Sequence, residues 1–299
     1  MIYPWFGRLF SQLTQRIQSG RLHHGLLLIG PQGLGKAELT REIGAHLLCR
    51  QANEKICGQC QACQLFRAGS HPDFYQVQSD KQIGVDEIRD AIEKLSSKAQ
   101  LSGAKVLIIH QADSMTESAA NALLKTLEEP TDQTYILLTT ARPQRLLPTI
   151  LSRCEKLTLP RPSQEQTRQW LSAEHAGPIE PELLSLYAAS PLRLSMLLRE
   201  EPELSYARFN QQLEQLTLGQ LDALQMATQW QEQPARLIAW LQHWLVASIQ
   251  QGRYNVDQLW ALSHEALGAG RYVSNPGLNK ILLLAQLLGP IQQLEEAQE

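Results

Sequence analysis

The apolar run Leu26-Leu27-Leu28-Ile29 leads straight into Gly30-Pro31-Gln32-Gly33-Leu34-Gly35-Lys36-Ala37. The spacing is that of GxxxxGK[ST], a strand-to-helix turn whose backbone N–H groups surround phosphates while the lysine offsets their charge and a Ser or Thr hydroxyl holds magnesium. Leu39, Ile43 and Leu47 then recur every four residues, one stripe of an amphipathic helix. The glycines alone would also suit an ordinary strand-to-helix turn, but the full string in this context reads as a degenerate nucleotide site. Gly30, Gly33, Gly35 and Lys36 can meet phosphates, whereas Ala37 puts a methyl where the magnesium-binding hydroxyl belongs.

Further continuous apolar runs, Val106 to Ile109 and Tyr135 to Leu138, alternate with helical patterns such as Val85, Ile88, Ile92 and Leu95. Runs of this kind are buried on both faces, as in a parallel sheet covered by helices. An active enzyme of this class ends such a strand with an acidic pair for magnesium and the attacking water. Here Val106-Leu107-Ile108-Ile109 is followed by His110-Gln111, and Asp113, three residues past His110, reads as a helix cap in preference to a displaced metal ligand. ATP binding is therefore expected to be weak or absent.

The β and α alternation stops at Pro160-Arg161-Pro162, where two prolines remove backbone donors. Beyond it the apolar spacing is helical: Trp170, Leu171, Leu183, Leu184, Leu186 and Tyr187 form one small unit, and Pro202 marks a softer boundary. Trp240, Trp244 and the run from Ile281 to Leu288 read as the core of the last region. A length of 299 residues fits two or three domains. Residues 1–160 carry 18 Lys and Arg against 15 Asp and Glu, and 161–299 carry 9 against 15. The C-terminal part thus lacks the clustered cations of an autonomous nucleic-acid binder. No stretch reaches the ~20 apolar residues of a membrane span, and Met1 to Phe10 shows no charged region followed by an apolar one, so a cytoplasmic protein without membrane contact is expected.

Cys49, Cys57, Cys60 and Cys63 follow the spacing C-x7-C-x2-C-x2-C. Paired C-x-x-C steps gather thiolates for tetrahedral zinc, and a closed four-cysteine site has no open position for substrate, so a structural zinc is expected. Reduced structural thiols and a redox pair are the competing readings. His71 could replace one ligand, but its Gly-Ser-His-Pro setting favours a structural turn.

The string Asn121-Ala122-Leu123-Leu124-Lys125-Thr126-Leu127-Glu128-Glu129-Pro130 forms, as a helix, an apolar face of Leu123, Leu124 and Leu127, with Lys125 and Glu129 at i, i+4. Ser152-Arg153-Cys154 follows some twenty residues later; alone, Arg153 is an ordinary surface charge. With the glycine loop, the cysteine insertion and Gly69-Ser70-His71-Pro72-Asp73, these two strings make residues 20–160 resemble the clamp-loader branch of the AAA+ ATPases.

That resemblance implies an α/β RecA-like domain at 1–161 with a zinc module near 49–63, a small three-helix lid at 162–203, and a helical collar at 204–299. It implies a hetero-pentameric ring with motor subunits of the gamma/tau type and a delta subunit, which opens a sliding clamp and places it on primed DNA within a replicative polymerase assembly. By motif position the chain is a non-motor subunit with neither ATPase nor polymerase chemistry of its own. Arg153 is then an arginine finger acting in trans, with Ser152 and Cys154 setting its loop. Thr139 or Thr140 falls at the first sensor, and Arg193, one place late, near the second. A working ATPase motor subunit is the first alternative, which Ala37 and His110 oppose. A zinc-dependent DNA-binding module is the second, opposed by the absence of a concentrated basic patch around Cys49 to Cys63.

Overall fold

The computed structural model describes residues 2–294 apart from 53–54, 80, 102, 176, 200–204, 274 and 276. Contacts divide the chain into two compact units, Met1–Ser195 and Met196–Glu299. The boundary read at Pro202 and residue 203 lies outside the described residues.

The first unit holds five parallel strands, β1 (Gly25–Ile29), β2 (Phe74–Val77), β3 (Lys105–Ile109), β4 (Thr134–Thr140) and β5 (Glu155–Thr158), in the spatial order β2-β3-β4-β1-β5. The three apolar runs seen in the sequence are the three central strands. Alternate side chains serve two cores: Leu27, Leu107, Ile109, Ile136 and Leu138 on one face, Leu26, Leu28, Val106, Ile108 and Leu137 on the other. The two strands absent from the sequence reading are β2 and β5, the edges. An edge strand is covered less completely, so Phe-Tyr-Gln-Val and Glu-Lys-Leu-Thr carry no continuous apolar signal.

Helices cover both faces. α1 (Gly7–Gln18) and α2 (Lys36–Leu48) pack Leu13, Leu39, Ile43 and Leu48 on one side, and the short α3 (Gln61–Arg67) adds Phe66. On the other side, α4 (Val85–Ser96) and α5 (Glu117–Glu128) bury Ile88, Leu95, Leu123 and Leu127, and α6 (Pro148–Arg153) buries Ile150. Thr116 caps α5 by accepting the Ala119 N–H at 3.1 Å. Leu124 is only half-buried, and Glu129 leaves the helix, its N–H donating to Lys125 O as a C-cap.

Beyond β5, every regular element among the described residues is helical. α7 (Gln164–Ser172), α8 (Pro181–Tyr187) and α9 (Pro191–Leu197) bury Leu171, Leu183, Leu184 and Tyr187. In the second unit α10 (Tyr206–Thr217), α11 (Ala223–Gln229), α12 (Pro234–Gln251), α13 (Val256–Tyr272) and α14 (Lys280–Leu288) enclose Phe209, Trp230 and Trp240. Trp244 is half-buried beside Tyr254, and of the 281–288 run Leu284, Leu287 and Leu288 are buried while Leu282 faces solvent.

One buried charge fixes the entry to β3. Lys105 is 3% exposed, and its ammonium donates to Leu95 O at 2.5 Å, Ser97 O at 2.8 Å and Thr131 Oγ1 at 2.6 Å. All three donors are thus used, tying the end of α4 to the β3–β4 connection. Burial lowers its pKa while Asp73 and Asp132 oppose the fall. Lys105→Met keeps the stem and removes three hydrogen bonds, leaving Leu95 O with the Thr131 hydroxyl alone. The expected loss is about 1–3 kcal/mol of unfolding free energy, measured by urea titration at neutral pH.

Candidate functional site

The glycine loop occupies the turn between β1 and α2, at the carboxyl edge of the sheet. Gly33 and Gly35 sit at φ +73° and +97°, a region that disfavours any side chain. A Cβ at Gly35 would lie 2.5 Å from the Tyr3 ring, and one at Gly33 would lie 2.9 Å from the Arg193 Cβ. Both glycines are therefore demanded by what packs on the loop.

That packing is a lid of aromatic rings. Tyr3 stacks on Trp5 with centroids 4.9 Å apart, Trp170 of α7 meets both rings edge-on, and the Trp5 indole donates to Leu34 O at 3.0 Å. The Leu192 N–H donates to Gly33 O at 3.0 Å, bringing the start of α9 onto the loop. Burial, aided by Glu38 and Glu174, pushes the Tyr3 phenol up to about 12. The sequence reading missed this cover, although Tyr3-Pro4-Trp5-Phe6 was the available signal.

Beneath the rings, Lys36 turns back on its own loop and donates to Gly30 O at 2.7 Å and Pro31 O at 2.8 Å. Burial brings its pKa down to about 8, with Asp113 pulling the other way. His110 is buried, and burial lowers its pKa too, against Glu38. Two of the three donors of the Lys36 ammonium are thus taken by carbonyls of its own loop.

Asp113 is not the helix cap expected from the sequence. It lies inside a single 3-10 turn, Ala112–Ser114, whose N-cap is Gln111, and its side chain turns inward instead. Oδ1 accepts from Thr140 Oγ1 at 2.7 Å and Oδ2 accepts from Arg142 Nε at 2.8 Å. A buried carboxylate needs a cation, and here an arginine that sequence reasoning missed supplies it. Thr139 is also occupied, its Oγ1 accepting the Gln111 N–H at 3.1 Å. The Arg193 guanidinium stacks over Tyr187 at 5.6 Å.

The four cysteines converge between the end of α2 and α3. Their sulfurs lie within 4.8 Å of one another, with Cys49–Cys57 at 3.6 Å and Cys57–Cys63 at 3.9 Å. A tetrahedron with metal–sulfur bonds near 2.3 Å has edges of about 3.8 Å, so the set can hold a metal ion. The Cys57 N–H donates to Cys49 Sγ and the Cys60 N–H to Cys57 Sγ, both at 3.4 Å. Backbone N–H groups of Gln59 and Cys60 bring the Cys57 thiol down to about 6, while burial pushes Cys63 up to about 12. His71 stays outside the cluster, accepting the Asp73 N–H at 3.1 Å.

Arg153 is far from all of this. It closes α6, just ahead of β5, and Glu155 pairs in register with Leu26 while Thr158 pairs with Ile29. Arg153 therefore stands at the amino edge of the sheet and the glycine loop at the carboxyl edge, roughly 15 Å apart at about 3.3 Å per residue. Its Nη1 donates to Thr149 O at 3.0 Å, where Ser152 Oγ also donates at 3.1 Å. Cys154 is buried, 3.6 Å from where a Cβ on Gly25 would stand, and burial pushes its thiol up to about 11.

A family model described as "DNA polymerase III, delta subunit" matches residues 7–163. The DNA polymerase III subunit delta' of Pseudomonas aeruginosa is 38% identical over 279 residues, covering 90% of this chain and 81% of that protein. The chain belongs to the DNA polymerase III delta-prime family. The delta' subunit of Escherichia coli is 44% identical over 176 residues, 58% of this chain and 53% of its own length. A gamma subunit-related protein of Thermotoga maritima superposes with a TM-score of 0.55 at 20% identity, covering 95% of this chain and 98% of that one. The latter likeness concerns the fold, which is the α/β AAA+ type expected from the sequence, followed by helices.

The Asp113 cluster carries a stability prediction. Burial acts against ionisation, but the Thr140 hydroxyl and then Arg142 outweigh it and hold the carboxyl below its usual 3.8. The pair thus contributes fully above about pH 4 and is lost as pH falls through the lowered value. Asp113→Asn is expected to cost about 1.5–3 kcal/mol at pH 7. Urea titrations from pH 7 to pH 3 should show the gap from wild type narrowing below pH 4.

Proposed function

We propose that the chain is the non-motor subunit of a bacterial clamp loader, which helps place a sliding clamp on primed DNA during replication. The observation that carries this reading is the opposition of the two sheet edges. At one edge a phosphate loop without its magnesium hydroxyl is capped by aromatic rings, its lysine spent on carbonyls. At the other, Arg153 stands roughly 15 Å from that loop, too far to serve phosphates bound there, and in this reading it serves those of another subunit. Membership of the delta-prime family supports a ring with gamma/tau-type motor subunits and a delta subunit, in a cytoplasmic replisome.

In this reading Arg153 supplies cationic charge to the neighbour's ATP in the transition state, and the chain alone turns over no ATP. The three-part division at 1–161, 162–203 and 204–299 assigns the aromatic-capped sheet domain, a lid and a collar. The four cysteines hold one structural zinc, which would pin the end of α2 to α3 and supply no open coordination position.

Two outcomes are expected. Purified protein contains about one zinc per chain by metal analysis, and Cys60→Ser loses the metal and its local stability before any assembly function. Metal-free wild type prepared without chelator would remove zinc from this account. In a reconstituted ring, Arg153→Ala leaves assembly intact and lowers DNA-stimulated ATP turnover. At the affected site the loss is ~10³-fold or more, diluted in the total by the other motor sites. Arg153→Lys rescues poorly because an ammonium lacks the planar fork. Normal turnover with Arg153→Ala would make the Ser-Arg-Cys match purely structural.

A further inference from the structure

Arg153 is not idle at the sheet edge. Its Nε–H donates to Glu128 Oε1 at 2.6 Å, and an Nη2–H goes to the same oxygen. Nη1 donates to Thr149 O at 3.0 Å and to Ser152 Oγ at 3.4 Å. A guanidinium has five N–H donors, and these four bonds use all but one. The Nε/Nη2 edge is a fork of the kind that grips two oxygens of a phosphate, and it is turned to a carboxylate.

Glu128 is well placed to hold it there. It is the last residue of α5, whose preceding turn is anchored by the fully buried Leu123 and Leu127, and the Leu127 carbonyl pairs with His24 Nε2 at 2.8 Å. The carboxylate therefore sits on fixed backbone, while Arg153 ends a separate helix immediately before β5. A carboxylate and a phosphate cannot share one fork without two anions meeting, so an arginine bonded to Glu128 is unavailable to a polyphosphate.

We propose that Glu128 is a positioning residue that parks Arg153, surrendering the guanidinium only when a nucleoside triphosphate stands opposite on the adjoining subunit. The proposal rests on the trans-acting reading of Arg153 given above. The exchange is feasible because the pair is solvated, with side chains 32% and 46% exposed. An exposed ion pair of this kind biases an equilibrium by no more than about five-fold. The pairing thus acts as a modest competitive brake on the neighbour's use of ATP, and it keeps the arginine ordered between turnovers.

The test uses rings reconstituted from full-length chains, with motor subunits whose own trans-acting arginines are replaced by alanine, so that Arg153 alone serves in that role. ATP turnover is followed against ATP concentration for wild type, Glu128→Gln, Arg153→Ala and the double variant, with assembly checked by gel filtration and folding by circular dichroism. Glu128→Gln should lower the KM for ATP about two- to five-fold with kcat unchanged, since at saturation the arginine has already left Glu128. Glu128→Ala should do the same. In the Arg153→Ala background, Glu128→Gln should change neither constant. An unchanged or higher KM, a fall in kcat, or a KM decrease that persists without Arg153 would each overturn the parking role. An Arg153→Ala ring with wild-type kinetics would instead overturn the finger reading, and this proposal with it.

Discussion

β1 lies between β4 and β5 with its side chains buried on both faces, the glycine loop at its carboxyl end and the Arg153 helix beside its amino end. At its carboxyl end the chain leaves the sheet through a turn held by its own neighbours: Gly30 N–H donates to Thr140 O, Gly33 O accepts from Leu192 N–H, and Leu34 O accepts from the Trp5 indole. At its amino end a Cβ on Gly25 would come within 3.2–3.6 Å of the Leu127 side chain, Arg153 O and Cys154 Sγ, so the strand leaves room there only for glycine beside the base on which Arg153 stands. A shift in its register would disturb both edges together.

The glycine loop is held by contacts of its own chain, and its sequence departs from the phosphate-loop pattern at small but connected points. Without a hydroxyl at Ala37 there is no metal ligand, and without an acidic pair after β3 there is no second one. A buried ammonium left with no anion would be costly, and the carbonyls of Gly30 and Pro31 remove that cost for Lys36. Asp113, whose charge reaches Lys36, is itself paired with Arg142.

The central sheet was legible because β1, β3 and β4 are buried on both faces and write themselves as unbroken apolar runs. Strands β2 and β5 were not, because an edge strand needs only a partial apolar set. The cysteine cluster was legible from spacing alone, since C-x-x-C steps bring sulfurs together whatever the surrounding fold. The aromatic cover was hidden for a different reason: Tyr3 and Trp170 are 167 positions apart, and neither belongs to a periodic pattern that points at the other. Asp113 misled because a cap and a buried ion pair look alike in sequence, and only the arrival of Arg142 after β4 tells them apart. Glu128 drew attention as part of a recognisable string, with no local sign that its partner would be Arg153.

The stacked rings over the glycine loop also give the molecule an optical identity. Tyr3, Trp5 and Trp170 lie within 4.9–5.7 Å of one another at fixed angles, close enough for their excited states to couple. A second coupled pair, Trp230 and Trp240 at 5.5 Å, belongs to the other compact unit. Near-ultraviolet circular dichroism therefore carries one signature for each unit, and displacement of the cover from the loop alters the first while leaving the second untouched.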